Sequence, residues 1–311
     1  MLWGVNMGSI LLKAFSFVLI LIIGYVLKRI KLFGERDYKV VSRIVMNITL
    51  PCALITGFAK FQMDKSLFVI VLMGLCLNLL MSGIGFIMAA RKDKDEKVFN
   101  MLNLAGYNIG CFTLPFVQSF LGAEGVGVTS LFDTGNSIMC TGGTYAIACM
   151  VKGDGEERPS LSSFIKKIFS SVPFDTYLLM FIITLLNIKL PDFIFEITST
   201  LSAGNAFLSM LMIGLVFECK LHKEQVIKAG TILVVRYGFA VLFALGVFYL
   251  LPFAIEVKRV LVILLFSPIP ALAPIFTSKC NGDGGLAGVI NSICIPISIG
   301  VIISLLTYWQ I

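Results

Sequence analysis

Long apolar runs alternate with short charged stretches along this chain. The runs fall at about residues 9–27, 40–58, 67–90, 98–120, 125–149, 173–189, 193–218, 229–251, 257–278 and 286–308. A helix needs about 20 apolar residues to cross the hydrocarbon core of a bilayer, and each run comes near that length. Ten such spans use roughly 200 residues, which leaves only short connections and no room for a separate soluble domain. The pattern predicts an all-α integral membrane protein of ten transmembrane helices.

Composition agrees. The 311 residues are 58% hydrophobic and only 14% charged, with a mean hydropathy of +0.95. A soluble domain is closer to half apolar and a quarter charged. The net charge of +7 would invite a nucleic-acid reading if the basic residues shared one face. They are instead dispersed among the connections, so no nucleic-acid partner is expected. Nineteen of the 25 Lys and Arg lie in or beside the connections after the first, third, fifth, seventh and ninth runs. That bias makes those connections cytoplasmic and places both termini outside a cell (inner or plasma) membrane. The first run lacks a basic leader and a small-residue cleavage site, so it reads as a retained helix.

The eight cysteines are scattered singly, and the one histidine, His222, sits in a charged connection. Neither a disulfide framework nor a zinc site is expected, and no cofactor is implied. No nucleophile–histidine pair or phosphate loop is apparent, so the chain does not read as an enzyme. Asn281-Gly282-Asp283-Gly284-Gly285 superficially resembles a calcium loop but lacks the remaining ligands; it reads as a turn. The longest connection begins with a linker, Gly153 to Pro159. An amphipathic stretch, Leu161 to Ser171, follows, with Lys166 and Lys167 placed to meet anionic lipid headgroups.

That connection divides the chain into residues 1–150 and 151–311, five runs each. A shift of 159 places Pro115 on Pro274, Glu124 on Asp283 and Gly125 on Gly284. Because five is odd, the halves must insert with opposite orientation, as in the inverted repeats of secondary transporters. Runs four and nine are also the least able to remain continuous helices. The fourth holds Gly106-Tyr107-Asn108-Ile109-Gly110 and then Pro115; the ninth holds Pro268, Pro270 and Pro274. Proline removes a backbone donor and clashes with the preceding turn. Freed backbone groups at membrane depth persist only where they line a cavity or are buried in protein. Matching interruptions in two halves therefore point to a binding site. Each break starts a half-helix whose N-terminus carries partial positive charge, which favours an anion such as a carboxylate.

At these residues the chain resembles the auxin efflux carrier family, which includes plant auxin carriers and bacterial malate or malonate permeases. The resemblance covers nearly the whole chain. It rests on Asn47-Ile48-Thr49-Leu50-Pro51, on Asn108 to Pro115, on Leu131-Phe132-Asp133-Thr134-Gly135-Asn136 and on Pro270 to Pro274. It implies two inverted five-helix repeats, with helices 4 and 9 crossing at their prolines. It also implies a scaffold of helices 1, 2, 6 and 7 against a transport unit of helices 3–5 and 8–10. The plant carriers typically have proline where Tyr107 stands here, so plant substrate preference does not transfer.

These readings select the candidate residues. Asn108, in the fourth-run break, could donate to a carboxylate or only satisfy freed backbone. Asn47 and Asn205 occupy corresponding helices of the two halves, facing either the crossing or neighbouring helices. Pro51, Pro115, Pro268, Pro270 and Pro274 complete the expected substrate site. Asp133 is the acid deepest in an apolar run, at an insertion cost of about 2.5–3.5 kcal/mol. It is a candidate for coupling to H+ or Na+, or a structural hydrogen-bonding residue. Glu196, Arg236 and Lys13 lie nearer run ends, can snorkel, and read as structural. The expectation is a carrier of small organic carboxylates such as malate, malonate or auxin-like acids, working by alternating access. The alternatives are a sodium-coupled organic-anion symporter of the bile-acid type and a membrane sensor that binds an acid without moving it. A homodimer is expected only by analogy.

Overall fold

The computed structural model describes residues 7–34, 36–58, 67–153, 161–186, 188–218 and 223–310. The linker after Gly153, together with His222, Cys219, Lys60, Lys65 and Lys220, lies outside the described residues.

The described chain is helical, with no strand among its described residues. In order the helices are α1 (Met7–Arg29), α2 (Tyr38–Ile44), α3 (Leu50–Phe58), α4 (Phe68–Met88), α5 (Lys94–Leu104), α6 (Leu114–Phe120), α7 (Gly122–Ile138) and α8 (Thr144–Lys152). There follow α9 (Leu161–Ile168), α10 (Val172–Leu185), α11 (Asp192–Ser202), α12 (Asn205–Val216), α13 (Val226–Leu250), α14 (Ile255–Leu265), α15 (Ala273–Lys279) and α16 (Gly284–Trp309). Wide π-turns at Val45–Thr49, Ile109–Thr113 and Met139–Gly143 join α2 to α3, lead into α6, and join α7 to α8.

Six stretches among the described residues are long and apolar enough to cross a membrane: Ile10–Arg29, Tyr38–Phe58, Phe68–Met88, Asp192–Val216, Val226–Leu250 and Gly284–Trp309. A seventh arises if α9 and α10, bent by 76°, count as one span. The runs expected at 98–120, 125–149 and 257–278 are each divided into shorter helices, none of crossing length alone. The divisions have local causes. Gly106 takes φ 88°, a left-handed conformation that side chains resist. The fifth run kinks at Gly142. Pro115 and Pro274 each stand in the first turn of a new helix, where the missing N–H costs nothing.

The divided stretches match in size. α5 and α14 have 11 residues each, and α6 and α15 have 7 each. Shortly after α6 and α15 comes a left-handed residue, Gly122 at φ 63° at the start of α7 and Asn281 at φ 57° ahead of α16. Asn281 belongs to the expected turn, and Asp283 caps α16 by accepting from the Leu286 N–H at 2.8 Å.

Burial is reversed relative to a soluble protein. Asn78, Asn103, Ser130 and Asn205 are fully buried, whereas Leu12 (68%), Ile87 (70%) and Val234 (74%) are largely exposed. Polar groups hidden inside and bare aliphatic chains outside are what a lipid solvent stabilises. Glycines set the closest helix crossings. A Cβ on Gly214 would lie 2.1 Å from the Leu21 carbonyl oxygen, so α1 and α12 touch through backbone. α4 and α7 do the same at Gly74 and Gly135. α3 packs on α10 and α11, α5 on α8 and α15, and α13 on α14 and α16. The amphipathic stretch is α9, which lies by the Gly142 kink and sets Lys167 4.3 Å from the centre of the Phe276 ring.

Candidate functional site

The breaks in the fourth and ninth runs meet. The Asn108 N–H donates to the Pro268 carbonyl at 2.8 Å. A Cβ on Gly106 would come within 2.4 Å of the Pro270 ring, so only glycine lets the two breaks interlock. The Thr113 and Ser267 hydroxyls bond at 2.5 Å across the same junction.

Unwound backbone in a membrane must find partners, and side chains supply several of them here. Asn136 on α7 reads both sides of Tyr107: its Oδ1 accepts from the Tyr107 N–H at 3.1 Å, and its Nδ2 donates to the Tyr107 carbonyl at 2.9 Å. Asn291 on α16 donates to the Pro270 carbonyl at 3.3 Å. Arg236 on α13 donates to the Leu104, Gly106 and Ser267 carbonyls at 2.6, 2.7 and 2.9 Å. Its guanidinium also lies 5.2 Å from the Tyr107 ring centre, in reach of a cation–π attraction.

Arg236 corrects the sequence reading. Counted there among cytoplasmic charges and expected to snorkel, it is 2% exposed at the middle of α13. Without it the charge bias still stands at eighteen against six. Its depth was legible in the run around it: Thr231 to Val235 precedes it and Tyr237 to Leu245 follows, without another charge. Glu196 and Lys13 are exposed as expected, and Lys13 donates to the Ser119 carbonyl.

A cavity of about 690 Å³ ends on this junction, within the usual range for small-molecule sites. Its floor includes Tyr107, Asn108, Gly110, Cys111, Pro270 and Ala271. Its mouth lies among Lys28, Tyr38, Ser171 and Glu218, all next to connections that follow the first, fifth and seventh runs. Lys28 and Glu218 approach to 3.8 Å there. The Glu218 side chain is largely solvated, so this long pair contributes little energy.

Asp133 faces the cavity from α7 and is 5% exposed. Its Oδ2 accepts from the Tyr177 hydroxyl on α10 at 2.6 Å, and its Oδ1 accepts from Asn136 Nδ2 at 2.6 Å. No cation pairs with it among the described residues. Asn136 therefore ties the acid directly to the broken backbone at Tyr107.

Of the residues expected from sequence, the cavity brings together Asn108, Asp133, Pro270 and Pro274. Asn108 is half-buried, and its side-chain amide has no protein partner among the described residues. The Gly110 and Cys111 amides open the helical turn after it, where no upstream carbonyl of the helix can accept them. Pro268 contributes its carbonyl to Asn108 but does not line the space. Pro51 and Pro115 are buried outside the lining. Asn47 is exposed and donates to Arg43 of its own helix at 2.8 Å. Asn205 is fully buried, accepting from Thr49 at 3.0 Å. Asn136, Tyr177 and Asn291 were missed as site residues. Asn136 stands three residues after Asp133, one helical turn on, and that spacing alone could have linked them.

Residues 9–289 match the family described as "Membrane transport protein". The chain is also 25% identical over 243 residues to an uncharacterized transporter of Methanothermobacter thermautotrophicus, a match that covers 76% of this chain and 78% of the relative. A broken-helix junction at the end of an internal cavity and a match over nearly the whole length lead to one conclusion: this chain belongs to the membrane transport protein family, that of the auxin efflux carriers.

Proposed function

We propose that this protein is a secondary transporter of small organic carboxylates, working by alternating access at the junction of the two breaks. The observation that carries the reading is Asn108. Its unpartnered amide, with the Gly110 and Cys111 N–H groups, faces the cavity where the half-helix presents partial positive charge. A carboxylate of the size of malate or malonate suits that cradle. The expected halves are inverted repeats, and the equal lengths of α5 and α14, and of α6 and α15, support this. In this reading α1–α3 and α10–α12 form the scaffold, while α4–α8 and α13–α16 move against it. The cavity mouth lies on the side richer in Lys and Arg, which makes the conformation inward-facing.

Asp133 is the coupling residue of this mechanism. An ionised carboxylate would repel an anionic substrate at the same junction. Protonated, it can admit the anion, so substrate and proton travel together. An anion moving alone is driven outward by an inside-negative potential at about 2.3 kcal/mol per 100 mV. One co-transported proton cancels that bias for a monoanion, and a dianion such as malate would need two for electroneutral uptake.

The test is counterflow of labelled malate into proteoliposomes, competed by a panel of mono- and dicarboxylates. Asn108→Ala is expected to weaken apparent affinity about ten-fold or more, the usual worth of a hydrogen bond to a charged group. No saturable exchange of any acid by the wild type would sink the carboxylate reading. Asp133→Asn is expected to flatten the pH dependence of exchange; an unchanged pH profile would remove Asp133 from coupling.

A further inference from the structure

Arg236 has a feature that the transport reading does not use. It is a buried cation without an anionic partner among the described residues, held instead by three main-chain carbonyls. Those carbonyls come from two helix ends. Leu104 is the last residue of α5 and Gly106 comes two residues later; Ser267 lies just beyond the end of α14. The C-terminal end of a helix carries orphan carbonyls and partial negative charge. Two such ends converge here, at the junction where the chain is unwound.

Converging carbonyls of broken helices are the chemistry by which membrane carriers hold a small monovalent cation such as Na+. A bare cluster of this kind would be costly in a membrane interior unless a cation filled it. We infer that the Arg236 guanidinium fills this position permanently, as a tethered cation that completes the junction without a bound metal ion and makes exchange independent of sodium.

The guanidinium suits the task better than lysine would. Its planar fork delivers separate N–H groups to Leu104, Gly106 and Ser267 at once, while Tyr107 covers one face. The Nε group has no partner, so the terminal nitrogens do the holding. Because the cation is covalently attached, it cannot leave with substrate and contributes no ion gradient to the cycle. It acts as a positioning residue for both breaks.

The exchange arm of the test rests on the carrier reading; the melting arm does not. The full-length protein would be purified into nanodiscs and its melting temperature compared in sodium chloride and choline chloride at equal ionic strength. The wild type is expected to melt alike in both. Arg236→Ala is expected to melt lower in choline, by roughly 5 °C or more, and to recover part of the loss in sodium or in millimolar guanidinium. Arg236→Lys, which keeps the charge but not the fork, is expected to melt between the two without recovery in sodium. Should Arg236→Ala fail to fold, the wild type and Arg236→Lys decide. Sodium-specific stabilisation of the wild type would overturn the inference, as would Arg236→Lys melting like the wild type or a folded Arg236→Ala indifferent to both cations. In proteoliposomes, wild-type exchange of equal rate with and without sodium supports it, and sodium-dependent exchange overturns it. A wild type that exchanges no acid would sink the carrier reading while the melting result stands.

Discussion

Asn136→Ala is expected to abolish exchange and to lower stability by about 3–5 kcal/mol. Few side chains here hold so many others. The Asn136 Oδ1 accepts from the Tyr107 N–H, from Asn78 Nδ2 at 3.0 Å and from the Cys140 thiol at 3.1 Å. Its Nδ2 donates to the Tyr107 carbonyl and to Asp133. Alanine would leave the Tyr107 N–H without a partner inside a membrane, and would take one donor each from the Tyr107 carbonyl, which keeps the Ile109 N–H at 2.9 Å, and from Asp133. Each orphaned group costs about 1–3 kcal/mol, and the losses are not additive because the groups share one network. Asn136→Asp separates the contributions. It keeps an acceptor for Tyr107 but removes both donor bonds and sets a second acid beside Asp133. That variant should be the poorer of the two near neutral pH. Melting in detergent and malate counterflow check both. An Asn136→Ala protein that melted within about 2 °C of the wild type would show the network to be dispensable.

Gly135→Ala is expected to cost about 3 kcal/mol, the upper end for an overpacked core, from one methyl group. The added carbon would stand 2.0 Å from the Val71 carbonyl oxygen and 2.8 Å from the Leu75 nitrogen. Both are backbone atoms of α4 and cannot rotate aside. Gly74 meets α7 in the same way, with a Cβ 2.1 Å from the Phe132 carbonyl oxygen. The helices would have to separate, which moves Asp133 and Asn136 relative to the breaks. Reduced recovery of monodisperse protein on size exclusion would register the effect. Gly83→Ala, in the partner helix α4, is the control: nothing lies within 4 Å of its Cβ, and alanine favours helix over glycine. Equal recovery of the two variants would contradict the close crossing.

Much of the helical layout was legible beforehand. The described helices begin and end near the expected apolar runs because the length of an apolar run is a local property that lipid thickness selects. The places where runs would break were legible for the same reason, since Pro115, Pro268, Pro270 and Pro274 act on their own turns. Asn108, Pro270 and Pro274 were singled out from those breaks, and Asp133 separately as the acid deepest in an apolar run. Asn47 could not: it lies in an apolar run, but whether it faces the cavity depends on the rotation of α2 and the π-turn Val45–Thr49, which inserts an extra residue per turn. Asn205 was likewise ambiguous, and its bond to Thr49 depends on how α12 packs on the second span.

Arg236 marks the boundary between the two kinds of information. Its charge and its position in an apolar run are properties of the sequence, and they suggested a snorkelling side chain near a run end rather than a buried one. They could not say which carbonyls would receive it, because Leu104, Gly106 and Ser267 come together only when two distant breaks interlock. The sequence by itself determined that lipid is the solvent, where helices form and where the proline-bearing runs must break. Each follows from hydrophobic transfer and backbone sterics acting over one or two turns. Only the tertiary structure decided that Gly106 receives Pro270, that Asn136 joins Tyr107 to Asp133, and that an arginine holds the junction. The contacts of Gly106 with Pro270, of Asn136 with Tyr107 and of Arg236 with Leu104 span 29 to 164 residues of chain, and within lipid they are selected by close packing and by the need to satisfy buried polar groups.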